Sequence, residues 1–346
     1  MIYIDKKINE SKIFRNINKK GIPFEFVHCV SEIEDSVKNI FITNSKSRIV
    51  HPCPGTRVYR CCNYYVADIV ENCPFSCTYC ILQVYLKHNY IKVYDNIDDI
   101  IYELQLLDKK GKYRVGSGEL SDSLALDKIL DLSLLLVPEI NKLNNIVFEF
   151  KTKSNYISNL LNCSPKNIIV SWSLNPQHIV VSEEFGTASL DARLEAANEC
   201  AQAGFKLAFH FDPIIFCRNF ENVYKELINK LIEKIDENVI KYISLSTFRF
   251  MPDLVDYIRE NYKDSMLLES HFVKGLDGKM RYFKASRFYM LSYLYKSIRS
   301  YWKKVFIYFC MESASMWERI IGFDPGERDN LEKLFIGDKN ECIFKF

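Results

Sequence analysis

The residues best able to do chemistry in this chain are three closely spaced cysteines, Cys73-Pro-Phe-Ser-Cys77-Thr-Tyr-Cys80. Three thiolates in a C-x3-C-x2-C spacing can ligate three irons of a [4Fe–4S] cluster, since thiolate is the ligand such clusters need. Three protein ligands for four irons leave one iron open. The same spacing also suits three ligands of a zinc site completed by Cys61, Cys62 or a histidine. Further on, Gly116-Ser-Gly118-Glu119-Leu-Ser-Asp122 combines small residues, which let a backbone approach a ligand, with a carboxylate that can pair with an ammonium. Taken alone, it also reads as a tight turn.

Other polar groups follow at intervals: Lys151-Thr-Lys153, Ser171-Trp-Ser173-Leu-Asn175, His210-Phe-Asp212 and Ser246-Thr-Phe-Arg249. Lys153, Ser173 and Asn175 could hold a carboxylate or a ribose, or serve as ordinary strand-end residues. His210 and Asp212 read either as a substrate-facing pair or as a satisfied buried His with an Asp cap.

The elements that must position these groups are legible in the apolar pattern. Short runs rich in Val, Ile, Phe and Tyr alternate with longer amphipathic stretches. The pattern predicts strands near 64–70, 113–117, 146–151, 168–174, 207–211 and 240–247. It predicts helices near 97–107, 124–136, 155–161, 190–203, 223–235 and 253–262. Near-continuous apolar strands imply a parallel sheet covered on both faces. Six β-α units predict a partial (β/α)6 TIM-like barrel, with chemistry at the C-terminal ends of its strands. The cysteine loop follows the first strand and the Gly118-Glu119 turn ends the second. Residues 1–60 read as a lead-in, 61–265 as the barrel and 266–346 as a C-terminal helical/β cap.

Bulk properties narrow the class. The chain has 346 residues, 48% hydrophobic and 26% charged, enough for a large buried core. A net charge of +2 does not announce a nucleic-acid binder, although a local patch can hide in such an average. No apolar run is long enough to span a membrane, and the start Met1-Ile-Tyr-Ile-Asp-Lys-Lys lacks a signal-peptide core. A cytoplasmic location is therefore expected. Of twelve cysteines, six fall between 53 and 80. In a reducing compartment, such a dense group reads as metal-binding or catalytic. Cys163, Cys200 and Cys310 read as buried structural thiols. Cys53, Cys61 and Cys62 could be a redox pair, part of a second metal site, or packing under the cluster loop.

With the cysteine loop after strand one and the Gly118-Glu119 turn after strand two, the chain is identified as a member of the radical S-adenosylmethionine (SAM) superfamily. It resembles the spore photoproduct lyase family within it. The resemblance is carried by Cys80-Ile-Leu-Gln83, Lys151-Thr-Lys153, Ser171-Trp-Ser-Leu-Asn175, Phe185-Gly-Thr-Ala-Ser-Leu-Asp191-Ala-Arg193-Leu-Glu195-Ala-Ala, Ala203-Gly204-Phe205 and Asp212-Pro213-Ile. It implies a [4Fe–4S] cluster on Cys73, Cys77 and Cys80, with SAM on the open iron. SAM would contact Gly118, Glu119, Lys153, Ser173 and Asn175, with Tyr79 packed near the adenine. Reductive cleavage of SAM would give a 5′-deoxyadenosyl radical. A reduced flavodoxin- or ferredoxin-type protein would supply the electron.

The family's substrate, a thymine dimer in DNA, is implied with two reservations in the residues. The lyase returns hydrogen to the repaired base from a cysteine, relayed with two tyrosines. That cysteine's position falls on Glu119; of the tyrosines flanking the third cluster cysteine, Tyr79 is present and the other is Ile81. A thiol donates hydrogen to carbon radicals and a carboxylate does not, so Cys217 is considered as a substitute donor. The Arg-aromatic pairs Arg281-Tyr282 and Arg287-Phe288, in the basic 279–304 stretch, are expected to contact DNA; an amphipathic helix with a solvated basic face is the alternative. The alternatives to a damaged-DNA enzyme are a radical SAM enzyme acting on a nucleobase, peptide or metabolite, and a non-catalytic zinc-binding module.

Overall fold

The computed structural model describes residues 1–8, 11–62, 64–326 and 328–336. Its main sheet has eight strands: Val50–Pro52, Tyr65–Ala67, Tyr113–Gly116, Ile146–Thr152, Ile168–Ser173, Lys206–Ile214, Ile240–Thr247 and Phe306–Phe309. They lie side by side in chain order. The Val50–Pro52 strand is antiparallel to its neighbour, and every later pairing is parallel. Strand Ile168–Ser173 is buried along its whole length, as expected for a sheet covered on both faces. This is the expected α/β partial TIM-like barrel. Parallel pairing brings the C-termini of the seven parallel strands to one mouth.

The strand expected over 64–70 splits into Tyr65–Ala67 and Val70–Glu71, and three larger features also differ from the sequence expectation. The helix expected over 124–136 breaks into Asp127–Leu130 and Leu132–Ile140. Asp131 takes a left-handed conformation (φ 56°) there. The Asp127 carboxylate caps the new start, accepting from the Ser133 amide at 2.8 Å and its hydroxyl at 2.6 Å. Asp is among the few non-glycine residues that visit this conformation, and here its carboxylate is held by Lys20 and Asn159.

The 1–60 stretch is more than a lead-in. Strands Ile2–Asp5, Phe24–Val27 and Ile40–Thr43 pair in parallel, joined by Ile91–Tyr94 and antiparallel Val70–Glu71 in a second, five-stranded sheet. Its last strand leads directly into the cysteine loop. Both sheets share one continuous apolar core.

The stretch from 266 onward, expected as an appended cap, supplies Phe306–Phe309 as the seventh parallel strand of the main sheet. It also supplies a hairpin, Phe272–Lys274 with Met280–Tyr282, and the long helix Lys284–Tyr301. The last ten residues, 337–346, lie outside the described residues.

Candidate active site

The cysteine loop is pinned on both sides. Before it, Glu71 is held by Lys92 at 2.8 Å, by His88 at 3.3 Å and by the Tyr94 hydroxyl. Asn72 then takes φ 71°, and its Oδ1 accepts from the Cys73 amide at 2.8 Å. After the turn, Ser76–Cys77 pairs antiparallel with Glu184–Phe185. The Thr78 amide donates to the Glu183 carbonyl at 2.9 Å, and its hydroxyl to the Glu183 carboxylate. Gln83 Nε2 closes the loop onto the Cys77 carbonyl at 2.8 Å.

Within this frame Cys77 is buried, while Cys73 and Cys80 keep partial exposure. The three thiols feel one another: Cys73 feels Cys80 and Cys77, and Cys77 feels Cys80. Burial pushes all three up, Cys77 to about 12. Lys153 pulls in the opposite direction on Cys77, and Lys153 and Lys151 do so on Cys80. Thiols this reluctant to ionise surrender their protons to a bound metal, because thiolate is the ligating form. A thiol-only donor set with two lysines at its edge fits an anionic iron–sulfur group. Among the described residues, no three Cys, His, Asp or Glu side chains converge on a single-ion position. Ligands of a multi-iron cluster need not converge, since each thiolate takes its own iron.

Glu184 and Arg193, whose roles the sequence did not disclose, anchor the floor of the site. Their fully buried side chains pair at 2.5 Å. Glu184 Oε1 also accepts from Asn175 Nδ2 at 2.8 Å and from the Tyr79 hydroxyl. Arg193 donates to the carbonyls of Ala188 and Ser173, each at 2.9 Å, and to Thr187 Oγ1 at 2.7 Å. Burial pushes the Glu184 carboxyl up, but Arg193 and then Lys153 outweigh it and hold it below the usual range. The only sequence signal was a charged Arg193 on the otherwise apolar face of helix Leu190–Gln202, one turn after its Ser189 cap.

This network changes the roles of several expected contacts. Tyr79 lies half-buried, its hydroxyl on Glu184 and its ring 5.7 Å from Lys153 Nζ. Asn175 is buried, with Nδ2 on Glu184 and Oδ1 accepting from the Tyr224 hydroxyl at 3.4 Å. Its Nδ2 bond helps to position the Glu184 carboxylate. Ser173 is buried and gives its carbonyl to Arg193. Gly118 packs against the neighbouring strand: a Cβ there would lie 3.0 Å from Lys151 Cβ and 3.3 Å from its carbonyl oxygen. Glu119 is exposed, and its charge is felt by Cys53, Asp68 and Lys279. The cysteine loop instead feels Asp122, Lys151, Lys153 and Glu184.

His210 is the satisfied buried histidine of the two readings, with Nε2 2.7 Å from Glu149 Oε1. Asp212 faces Arg249 at 3.5 Å. Cys217 is buried, with burial raising it to about 11. It lines a surface cavity of about 700 Å³ with Phe216, Phe220, Met266 and Tyr289.

Of the four side chains expected to contact DNA at 281–288, Arg281, Tyr282 and Arg287 are buried. Arg281 is 2% exposed, ion-paired with Asp277 at 2.5 Å, bonded to the Met311 carbonyl at 3.0 Å and stacked over Tyr59. Tyr282 is equally buried, its hydroxyl accepting from the Phe216 amide at 3.1 Å. Arg287 is buried on Glu312 at 2.9 Å and the Tyr282 carbonyl at 2.7 Å. Phe288 is exposed, with the Arg319 guanidinium over its ring. The three buried side chains already have partners, and reaching a ligand would strand Asp277 and Glu312. They brace the hairpin, whose tip carries Leu276 at 82% exposure.

A parallel partial barrel with a three-thiol loop after its first strand, at the mouth where the strands end, defines an enzyme of the radical SAM class. Residues 59–314 match the family model for spore photoproduct lyase, and the chain belongs to that family. It is 28% identical over 240 residues to the spore photoproduct lyase of Geobacillus sp. (strain Y412MC61), covering 67% of this chain and 68% of that one. It is 26% identical over 245 residues, with the same coverage, to that of Bacillus subtilis (strain 168). The fold matches a spore photoproduct lyase mutant solved with bound AdoMet and dinucleoside spore photoproduct, with TM-score 0.80 and 21% identity. That match covers 89% of this chain and 98% of the other. Membership in a lyase family sets aside the zinc-binding module. No helix among the described residues is long and apolar enough to cross a membrane.

Proposed function

We propose that this chain holds a [4Fe–4S] cluster on Cys73, Cys77 and Cys80, with SAM at the open iron, and acts on a spore-photoproduct-type thymine dimer in DNA. The observation that carries this reading is the pinned loop of three mutually close thiols at the barrel mouth, with Lys151 and Lys153 beside it. When bound, the cluster and SAM supply a 5′-deoxyadenosyl radical, the electron coming from a reduced flavodoxin- or ferredoxin-type protein. Lys153 offsets negative charge beside Cys77. Glu184, fixed by Arg193 and Asn175, holds Tyr79 in place at the loop. Gly118 lets the second strand's turn lie flat on Lys151, keeping the mouth open.

On the substrate side, the hairpin tip replaces Arg281-Tyr282 as the DNA wedge. Leu276 projects between the exposed Lys274 and the partly exposed Lys279. Asp277–Arg281 and the Tyr59 hydroxyl, which accepts from the Leu276 amide at 3.2 Å, make the turn rigid. Apolar side chains pushed between bases unstack them, and flanking lysines recover part of the cost from phosphates. A second reading within the family, a non-DNA substrate, is favoured by one observation: Glu119 places an exposed carboxylate at the mouth, where it repels phosphate.

The test is anaerobic reconstitution with iron and sulfide, then reduction with SAM. A brown protein releasing 5′-deoxyadenosine, with Cys77→Ala losing both colour and product, is the expected result. A colourless protein that leaves SAM intact overturns the reading. Preferential binding of a duplex containing the dimer supports the DNA substrate; equal, weak binding to damaged and intact duplex favours the second reading.

A further inference from the structure

The cavity of about 700 Å³ lies apart from the cysteine loop, and none of Cys73, Cys77, Cys80, Lys151 and Lys153 lines it. One wall is formed by residues 216–219, just after the C-terminal end of strand Lys206–Ile214, and so at the mouth. Met266, Glu269 and Ser270 form another, and Tyr289 of helix Lys284–Tyr301 a third. Hydrogen bonds tie these walls to both parts of the proposed site. The Phe216 amide donates to the Tyr282 hydroxyl at 3.1 Å, in the hairpin whose tip carries Leu276. The Met266 amide donates to the Glu183 carboxylate at 3.0 Å, and that carboxylate also holds the hydroxyl of Thr78, between Cys77 and Cys80. The cavity thus borders both the hairpin and the residues that hold the cysteine loop.

Its lining is aromatic, and the rings are held in place. Phe216 and Tyr289 are each 42% exposed. The buried Phe220 ring packs against both, 5.9 Å from Phe216 at an interplanar angle of 27° and 5.8 Å from Tyr289. The Tyr289 hydroxyl donates to Glu221 at 2.8 Å, which fixes that ring and occupies one of the two carboxylates in the lining. Exposed rings in a fixed attitude present faces on which a planar base stacks. At the rim, Arg218 is exposed and has no ion-pair partner among the described residues. A guanidinium so placed suits phosphate. Glu269, also exposed, repels phosphate but accepts from an exocyclic amino group, as carboxylates do from cytosine. Ring faces, a free cation and an edge acceptor together match a nucleotide better than a plain apolar ligand.

We propose that this cavity binds one undamaged nucleobase, displaced from the stack by the hairpin as the dimer is drawn to the cysteine loop. This rests on the DNA reading above. Taking a base out of the stack is costly, and stacking it again on Phe216 and Tyr289 returns part of that cost. Arg218 takes the adjoining phosphate, and Glu269 meets the base edge. The damaged thymines themselves go to the cysteine loop, where the radical forms. The displaced base is either the one opposite the dimer or the one beside it in the same strand, and both offer the same flat face.

The experiment measures binding of the reconstituted full chain by fluorescence anisotropy, at one salt concentration, to three dimer-containing duplexes. One is fully paired, one has abasic sites opposite the dimer, and one has an abasic site beside it. Phe216→Ala should bind the fully paired duplex about ten-fold more weakly than wild type. It should match wild type on the duplex that lacks the pocketed base, which tells the opposite base from the neighbouring one. Phe216→Leu keeps apolar bulk without a ring face and should show the same pattern, with melting temperature and iron content reporting that both variants fold. Arg218→Gln should weaken binding to all three duplexes alike and reduce the salt dependence. Wild-type-like binding of Phe216→Ala to the paired duplex, or a loss that persists on both abasic duplexes, overturns the proposal while the DNA reading stands. Wild-type protein that does not prefer the dimer duplex over an intact one overturns that reading, and the base site with it.

Discussion

Replacing Arg193 by methionine removes one member of a fully buried ion pair while keeping most of its bulk. The guanidinium makes four contacts of 2.5–2.9 Å, to Glu184, Thr187, Ala188 and Ser173. Its loss leaves the Glu184 carboxylate in a dry site with Tyr79, Asn175 and Lys153. Breaking a buried pair from one side costs up to about 3–5 kcal/mol, because the remaining charge loses its paired partner and keeps only Lys153 nearby. Against a typical total of about 5–15 kcal/mol, that is a large fraction. With a urea slope of about 3 kcal/mol per M, the unfolding midpoint falls by about 1–1.7 M. The damage also reaches the cysteine loop, since Glu184–Phe185 is the strand on which Ser76–Cys77 is paired. Iron content after anaerobic reconstitution should fall with it. Arg193→Met with Glu184→Gln removes the stranded charge and should recover part of the loss; this non-additivity marks a true pair. A midpoint within about 0.2 M of wild type, with unchanged iron content, would refute the reasoning.

Two further outcomes follow from the same structure. Glu71, bonded to His88, Lys92 and Tyr94 strongly enough to offset its burial, is lowered from 4.5 to about 2. Because the folded value is depressed, its stabilisation is complete above about pH 4.5 and disappears as the pH falls through about 2, at most about 3 kcal/mol. Urea titrations across this window should show a smaller pH dependence for Glu71→Gln than for wild type; identical slopes would argue against it. At the hairpin, Leu276→Ser should leave thermal stability unchanged and weaken binding to dimer-containing duplex. Arg281→Ala should instead lower the melting temperature, through the buried Asp277 it leaves unpaired; the opposite pattern would return Arg281 to the DNA surface.

Much of the architecture was legible in local pattern. The Val/Ile/Phe runs became the parallel strands, because a run apolar on both faces has no stable place except a covered sheet. Cys73, Cys77 and Cys80 lie on one loop because their spacing spans only eight residues. The 124–136 helix breaks because Asp131 turns left-handed and the Asp127 carboxylate caps the restart, a local device that overrides an apolar period. The first three strands of 1–60 are four residues each, and the sheet they begin is completed only by Ile91–Tyr94 and Val70–Glu71, further along the chain.

By itself, then, the sequence determined the barrel, the thiol loop, and through its ordered motifs the family. It could not determine which polar side chains meet. The loop is held by Glu183 and Glu184, 105 residues away. Arg281 and Arg287 carry charges that look solvent-facing in a basic stretch, yet they point inward to Asp277 and Glu312. Cys61 and Cys310 come near each other only because the Arg60 amide bridges across to the Glu312 carbonyl. The physical reason is common to all three. Strand and helix periodicity are fixed by neighbours within a few residues, whereas a polar partner is chosen by sheet curvature and by the high cost of leaving a buried charge or thiol alone.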